Sequence, residues 1–435
     1  GEMAPSDAVS SAIDRLRADD HIFQVVAHPL YEAAMDQARA ADQAVADGDT
    51  LGQLHGVPIG VKDLYDIAGQ PTAAGSTILA DSVADTTATA VARLEAAGAI
   101  VVAKLAMTEF AGGAHNPALP TPVNPYDHTR SPAGSSSGSA VAVAAGLLPA
   151  ALGSDTVASI RFPAAWTGCV GFKPSYGRIS RHGVFPLAAT YDHCGPLTST
   201  VADADLFARA MAGPDPLDIT TRFDPYGART HGVDGMRIGW DETFVTEHAG
   251  PDVGAASRAA VAALADAGAE VVDVVVPLRV EAAVPYGQLF RAEVAAVHHD
   301  LWPAHRDDYT PGFASAIKAA AGVSRDDVVR SHEFRIGFRH AIDHLFTDVD
   351  ALVTPTAPVN ALPEIPLDEN FISWLTFTWL WNLCGAPAIS IPWGLDAEAL
   401  PHSVQLIAAP GDDPTAIAAA EAAEAAAPDL PPAPR

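Results

Sequence analysis

Residues 131–163 read SPAGSSSGSAVAVAAGLLPAALGSDTVASIRFP, and no other stretch restricts the fold of this chain as much. A Ser/Gly loop runs into a helix of small residues. A tight Gly-Ser-Asp-Thr turn then presents Ser159 just ahead of Ile160-Arg161-Phe162-Pro163. Glycine permits turns that residues with a Cβ resist, so Ser135 and Ser159 are expected in sharp turns beside regular elements. Upstream, Val57-Pro58-Ile59-Gly60-Val61-Lys62-Asp63 sets one lysine in an apolar run.

The remaining pattern is strand–helix–strand. Residues 5–50 read as two helices, the second over Tyr31–Ala46. VPIGVKD reads as a strand, Thr87–Ala97 as an amphipathic helix ending at Gly98, and Ala99–Lys104 as a buried strand. Helices are expected over 201–212 and 255–268, and strands over Met236–Trp240, Ala269–Val276 and Ala351–Pro355. Residues 284–346 read as helical with loops at Pro303 and Pro311. An Ala/Glu helix starts near Pro414. This alternation argues for a mainly parallel sheet covered by helices. Phe371–Leu395 carries no charge and is long enough to span a bilayer. Asn382, Gly385, Pro387 and Pro392 interrupt it, so it reads as buried core.

The 435 residues are 49% hydrophobic, which suits a large core and argues against disorder. A net charge of −28 argues against nucleic acid or anionic lipid as the main partner. Cys169, Cys194 and Cys384 form an odd, sparse set, which suggests a reducing, cytoplasmic setting without disulfides. No signal peptide is expected, and Gly1-Glu2-Met3 reads as an expression remnant. Lysines are scarce: Lys62, Lys104, Lys173 and Lys318. A buried lysine favours its neutral form, and a neutral amine can take a proton. A serine hydroxyl both donates and accepts, so a second serine can relay that proton. Acyl chemistry needs a nucleophile, a base and donors for the oxyanion. Two turn serines and one buried lysine supply these parts without a histidine or a metal.

At these residues the chain resembles the amidase signature family. The matching segments are GVPIGVKD (56–63), AKLAMTEFA (103–111), SPAGSSSGSAVAVAAG (131–146), ALGSDTVASIRFPAAWTGCVGFKPSYGRIS (151–180) and DHCGPLTST (192–200). LVTPTAPV (352–359), FTWLWNLCGAPAISIPWG (377–394) and VQLI (404–407) extend the match over nearly the whole chain. The resemblance implies a single α/β domain over 5–425, a mixed, largely parallel twisted sheet surrounded by helices. A disordered Pro-rich tail is expected over 426–435. The resemblance also implies a Ser–cisSer–Lys triad: Lys62 matches the base, Ser135 the cis-peptide serine and Ser159 the acyl-forming nucleophile. Backbone N–H groups of Thr156, Val157, Ala158 and Ser159 fall where the family has its oxyanion hole. The implied activity is hydrolysis of a linear carbon–nitrogen amide bond in a small molecule. The family needs no cofactor, no metal and no membrane, and many members form homodimers. Ester or carbamate cleavage is chemically close. Two alternatives stand beside it: the glutaminase component of a tRNA-dependent amidotransferase, and a homologue that binds or transfers an acyl group.

The sequence departs from the family pattern at one telling place. Val157-Ala158 stands where two glycines are usual, and Ala133 where one glycine is common. A β-branched residue suits a positive φ poorly, and its side chain would narrow the acyl pocket. Met107, Gly134, Trp379 and Trp381 are expected around the substrate, the tryptophans within a cluster with Trp374 and Phe377 for which core packing is the competing role. Ser136, Ser137 and Ser139 read as turn and cap residues, and Asp155 and Arg161 as loop fasteners. Lys104 and Lys173 read as structural. His340 and His344, and likewise His298 and His299, read as solvated helix faces rather than metal ligands. His193 lies near enough to the signature to reach the cleft.

Overall fold

A computed structural model describes residues 3–228, 232–277, 283–364 and 374–433. The first three residues of the apolar stretch 371–395 therefore fall outside the described residues, as do the ends of the chain.

The strands are β1 (Val26–Pro29), β2 (Pro58–Lys62), β3 (Ile100–Leu105), β4 (Ala150–Asp155), β5 (Val170–Lys173), β6 (His193–Thr198), β7 (Arg237–Trp240), β8 (Glu270–Asp273), β9 (Ala351–Pro355), β10 (Ala388–Leu395) and β11 (Pro401–Ala408). They form one sheet in the order β1-β3-β2-β4-β6-β5-β10-β11-β9-β7-β8. The helices are α1 (Pro5–Phe23), α2 (Tyr31–Asp47), α3 (Thr89–Ala96), α4 (Ser137–Ala144), α5 (Arg161–Thr167), α6 (Val201–Met211), α7 (Glu242–His248), α8 (Pro251–Asp266), α9 (Ala283–Val297), α10 (Trp302–His305), α11 (Pro311–Ala320), α12 (Arg325–Asp348), α13 (Trp379–Cys384) and α14 (Asp413–Ala426).

The mixed sheet stands as expected, but its largely parallel character does not. Among the described residues six of the ten strand pairings are antiparallel. Parallel pairing joins β2 to β3 and β4, and β7 to β8 and β9. The helical crossovers make those units parallel. Among the antiparallel pairings the β10–β11 hairpin is a close return, whereas β1 meets β3 and β5 meets β10 across long stretches of chain.

Two more corrections concern helices. Pro303 and Pro311 were expected in loops, yet each sits in the first turn of a helix, α10 and α11. Proline has no N–H to lose there and its φ already suits the helix. His298 was expected on a solvated face. It is buried, because the end of α9 packs into rings of Phe110, Tyr309 and Phe313. His299, His340 and His344 are exposed. Beyond α14 the chain lies against the body, where Tyr126 Oη donates to the Pro431 carbonyl at 3.0 Å.

Three strands set the site. Every residue of β2, β3 and β4 is buried, as strands covered on both faces require. Since β2 and β4 run parallel as neighbours, Lys62 at the end of β2 and the loop after Asp155 leave the sheet at the same edge. Ligands of open α/β sheets bind beyond the carboxyl ends of such strands. Helix α4 closes on this edge through Gly138, whose N–H donates to the Ala106 carbonyl at 2.9 Å. A Cβ there would lie 2.5 Å from that oxygen and 2.8 Å from Ala106 N. Gly138→Ala is therefore expected to lower the unfolding free energy by about 1–3 kcal/mol. Urea denaturation reads this; an unchanged midpoint would count against the close approach.

Candidate active site

Lys62 is fully buried at the end of β2, with Ile59 and Val61 equally enclosed. Burial disfavours its ammonium and pushes its pKa down to about 7, although Asp155 and Asp192 pull the other way. Its Nζ donates to Ser135 Oγ at 2.6 Å and to Ser154 Oγ at 2.9 Å. The peptide bond between Gly134 and Ser135 is cis.

Low pKa alone does not single out Lys62. Burial also pushes Lys173 down to about 7. That amine, however, donates to backbone carbonyls of Pro174 and Ala386, and no serine faces it among the described residues. Lys104 is paired with Asp63 at 3.1 Å. Lys62 is thus the buried lysine that two serine hydroxyls accept from.

Ser159 follows β4 in the turn that opens α5 and is partly exposed. Its hydroxyl makes no hydrogen bond among the described residues. Its carbonyl accepts from Ser136 N at 3.2 Å, which ties its turn to the Ser135 loop. The backbone N–H groups of Val157, Ala158 and Ser159 likewise donate to no acceptor among the described residues. Thr156 is held differently: its Oγ1 donates to Asp192 Oδ1 at 2.7 Å. Val157 and Ala158 avoid positive φ, while Ala133 adopts it at 59°. The backbone strain anticipated at Val157 therefore sits at Ala133 instead.

One buried network fixes this turn. Asp155 Oδ2 accepts from Ile160 N at 3.1 Å and Arg161 Nε at 3.0 Å, and Oδ1 accepts from Arg161 Nη2 at 3.0 Å. Arg161 continues to Asn382 Oδ1 at 2.6 Å and Gln405 Oε1 at 3.2 Å. Burial opposes ionisation of Asp155, yet the Arg161 guanidinium holds its carboxyl well below the usual range. Asp155 and Arg161 are loop fasteners, as their place in the sequence suggested.

The serines of the first loop were expected as turn and cap residues, but Ser136 at the N-cap makes no side-chain cap bond to α4. Ser136 Oγ donates to the Ser154 carbonyl at 3.2 Å, Ser139 Oγ to the Leu152 carbonyl at 2.8 Å, and Ser137 Oγ pairs with His115 Nε2 at 2.8 Å. Ser136 and Ser139 thereby sew the loop onto β4, and Ser137 ties it to the His115 segment. Of the expected pocket residues, Gly134 belongs to the cis peptide and Met107 precedes Thr108, whose N–H donates to the Ser135 carbonyl at 3.3 Å. Trp379 and Trp381 are 2% and 0% exposed. The Trp381 indole donates to the Phe377 carbonyl at 2.7 Å, and Trp379 meets the site through Tyr286, with ring centroids 4.9 Å apart. His193 is buried and its Nδ1 lies 2.6 Å from the Tyr191 carbonyl.

Sequence reasoning missed Ser154, Asp192, Asn382 and Gln405. All four lie within segments that carry the family resemblance, but nothing local joins them into one network, and Asn382 and Gln405 come from distant elements. Among the described residues no group of three His, Cys, Asp or Glu side chains is placed to hold a metal ion. No helix among them is long and apolar enough to cross a membrane.

Fold and site together define an α/β enzyme of the amide-hydrolysing class. A family model described as Amidase matches residues 7–417, and the chain belongs to that family, the amidase signature enzymes. It is 38% identical over 417 residues to the putative amidase AmiD of Mycobacterium tuberculosis, spanning 93% of this chain and 87% of that protein. It is 35% identical to a glutamyl-tRNA(Gln) amidotransferase subunit of Chloroflexus aurantiacus, spanning 97% and 93%. The crystal structure of a bacterial aryl acylamidase of the same family superposes with a TM-score of 0.89 at 26% identity, over 98% and 93% of the two chains.

Proposed function

We propose that this amidase works through an acyl-enzyme on Ser159, with Lys62 as base and Ser135 as relay. The observation that carries this reading is the 2.6 Å hydrogen bond from a fully buried lysine to Ser135. Neutral Lys62 takes the Ser159 proton through Ser135 as Ser159 attacks the substrate carbonyl. The oxyanion rests on the free N–H groups of Val157, Ala158 and Ser159, with Thr156 at the head of that turn. The same relay returns the proton to the departing amine, and water then releases the acid. Donors aimed at the developing charge are usually the largest single contribution in such sites.

The substrate class proposed is a small amide with a bulky apolar or aryl group. The support is the aromatic group behind the oxyanion turn, where Tyr286 stacks on Phe290 and meets Trp379 at a tilt. Three buried free cysteines fit a cytoplasmic enzyme, and a homodimer fits the family. Similarity to the amidotransferase protein of Chloroflexus aurantiacus supports a second reading, a glutaminase working with partner proteins. A charge of −28 suits tRNA proximity poorly.

Intact-mass analysis after a fluorophosphonate is expected to show one adduct on the wild type and none on Ser159→Ala. An adduct on both, or on neither, would remove Ser159 as the nucleophile. In an amide panel on the same enzyme, equal turnover of acetamide and aryl amides would remove the aryl preference. Glutamine hydrolysis that appears only with added partner proteins would replace it with the second reading.

A further inference from the structure

Lys62 has two hydroxyl partners, and one of them lines a cavity that the other does not. Ser154 Oγ accepts from Lys62 Nζ at 2.9 Å, and its own proton has no acceptor among the described residues. Ser154 also lines a cavity of about 230 Å³. Thr156, Asp192, His193 and Cys194 are other buried polar groups of its wall, and Arg181, the buried Asp218 and Leu217 stand toward the rim. Leu217 is 66% exposed, so the cavity opens to solvent. Neither Ser135 nor Ser159 belongs to its wall. The cavity thus approaches the lysine by a route separate from the cleft. Leu64, Val184, Phe185 and Leu187 form much of the remaining wall, and a cavity this large with those polar groups in it has room for several waters.

We propose that the cavity is a solvent port for Lys62, in which a file of water between the Arg181–Asp218 rim and Ser154 Oγ exchanges the lysine's proton with bulk while substrate fills the cleft. The inference rests on reading Lys62 as the base. The exchange balances simply. The Lys62 ammonium gives one proton to the Ser154 oxygen, and Ser154 gives its own to the first water. The file delivers one hydronium to bulk. Lys62 is left neutral, Ser154 is unchanged, and only N–H and O–H bonds are exchanged.

The port answers a need that the site itself creates. With its pKa near 7, about half of the Lys62 amines are protonated at neutral pH. An enzyme that binds substrate in that form must shed a proton with the cleft occupied. The enclosed groups near Lys62 offer no route to bulk. Asp155 is locked to Arg161, Asp192 accepts from Thr156, Leu187 and Ala188 even though burial raises its pKa, burial holds the His193 ring neutral by pushing its pKa well down, and burial pushes the Cys194 thiol up to about 12. Water at Ser154 supplies that route.

Cys194 is a built-in reporter. Cys169, Cys194 and Cys384 are all buried, and burial raises the pKa of all three. Cys194 is the one in the cavity wall. A small neutral methanethiosulfonate is expected to modify Cys194 at least about tenfold faster than the other two. Prior reaction of Ser159 with a fluorophosphonate should leave that rate unchanged. Leu217→Trp, at the rim, should slow the labelling. It should also introduce a lag in turnover when enzyme–substrate complex is jumped from below to above the Lys62 midpoint, with the same final rate. Protection of Cys194 by the fluorophosphonate would make the cavity part of the cleft and overturn the port. Labelling no faster than at Cys169, or the absence of a lag in Leu217→Trp, would overturn it too. If no Ser159 adduct forms, the acyl-enzyme reading falls instead, while Cys194 labelling still reports whether the cavity is open.

Discussion

Lys62→Met is expected to lower kcat by about 100- to 10,000-fold, the range that positioned acid–base groups supply, while KM changes little. Methionine fills much of the same space at the end of β2. The protein loses an amine from a fully buried site, not a packing element. The wild-type pH profile should identify the group. Burial pushes Lys62 down to about 7, and the proposed mechanism needs its neutral form. kcat/KM should therefore fall about tenfold per pH unit below that midpoint and level off above it. Lys62→Met should lack this inflection. Stability has the matching sign. Unfolded lysine binds its proton up to its ordinary pKa, so between about 7 and that value the unfolded state holds the extra proton. The Lys62 contribution to stability therefore rises with pH across that window. A wild-type profile flat through pH 7, or a variant retaining most of its kcat, would remove Lys62 from the chemistry.

What the sequence revealed follows from which forces are local. Lys62 was legible because one cation in a run of Val, Pro, Ile and Gly must be buried with its strand. Ser135 was legible because a glycine-rich loop next to an apolar helix marks a sharp backbone bend, whereas the Gly-Ser-Asp-Thr turn expected before Ser159 is not one: Gly153, Ser154 and Asp155 end β4, and the turn that carries Ser159 has no glycine. The order of strands was not legible. Whether β4 meets β6 antiparallel or another strand in parallel depends on contacts about forty residues apart, and each strand alone looks equally apolar. The short β1 was hidden between two strong helix patterns. Helix α7 was hidden because its start signal is a single residue, Asp241, whose carboxylate accepts from Phe244 N. His298 misled because helical spacing shows that residues share a face, not whether aromatic rings wait there. The tryptophans of α13 were ambiguous for the same reason, and the structure encloses both. The Asn382 and Gln405 ends of the Arg161 network, 221 and 244 residues away from Arg161, lay beyond any local pattern.

Arg161→Ala is expected to cost about 3–5 kcal/mol of stability, the range for breaking a buried ion pair by removing one partner. The reason is the partner left behind. Asp155 is fully enclosed, and its carboxylate would keep the Asn382 amide and two backbone N–H groups but lose the guanidinium. Both Asp155–Arg161 contacts disappear, as do the Arg161 bonds to Asn382 and Gln405. Ser159 sits in the turn that Asp155 ties down through Ile160 N, so activity should fall along with stability. Two further variants separate these effects. Arg161→Lys keeps the charge but not the planar fork. It should fold, with a reduced kcat, because one ammonium cannot satisfy both carboxylate oxygens and Asn382 together. Asp155→Asn combined with Arg161→Met removes both charges. It should cost less stability than Arg161→Ala alone, since no uncompensated buried charge remains. Denaturant titrations of the three proteins decide the matter. If the double variant is the least stable, the network contributes through its packing and hydrogen bonds. If Arg161→Ala is the least stable, the buried carboxylate is what the arginine exists to balance, and the turn that carries Ser159 depends on an ion pair that no solvent screens.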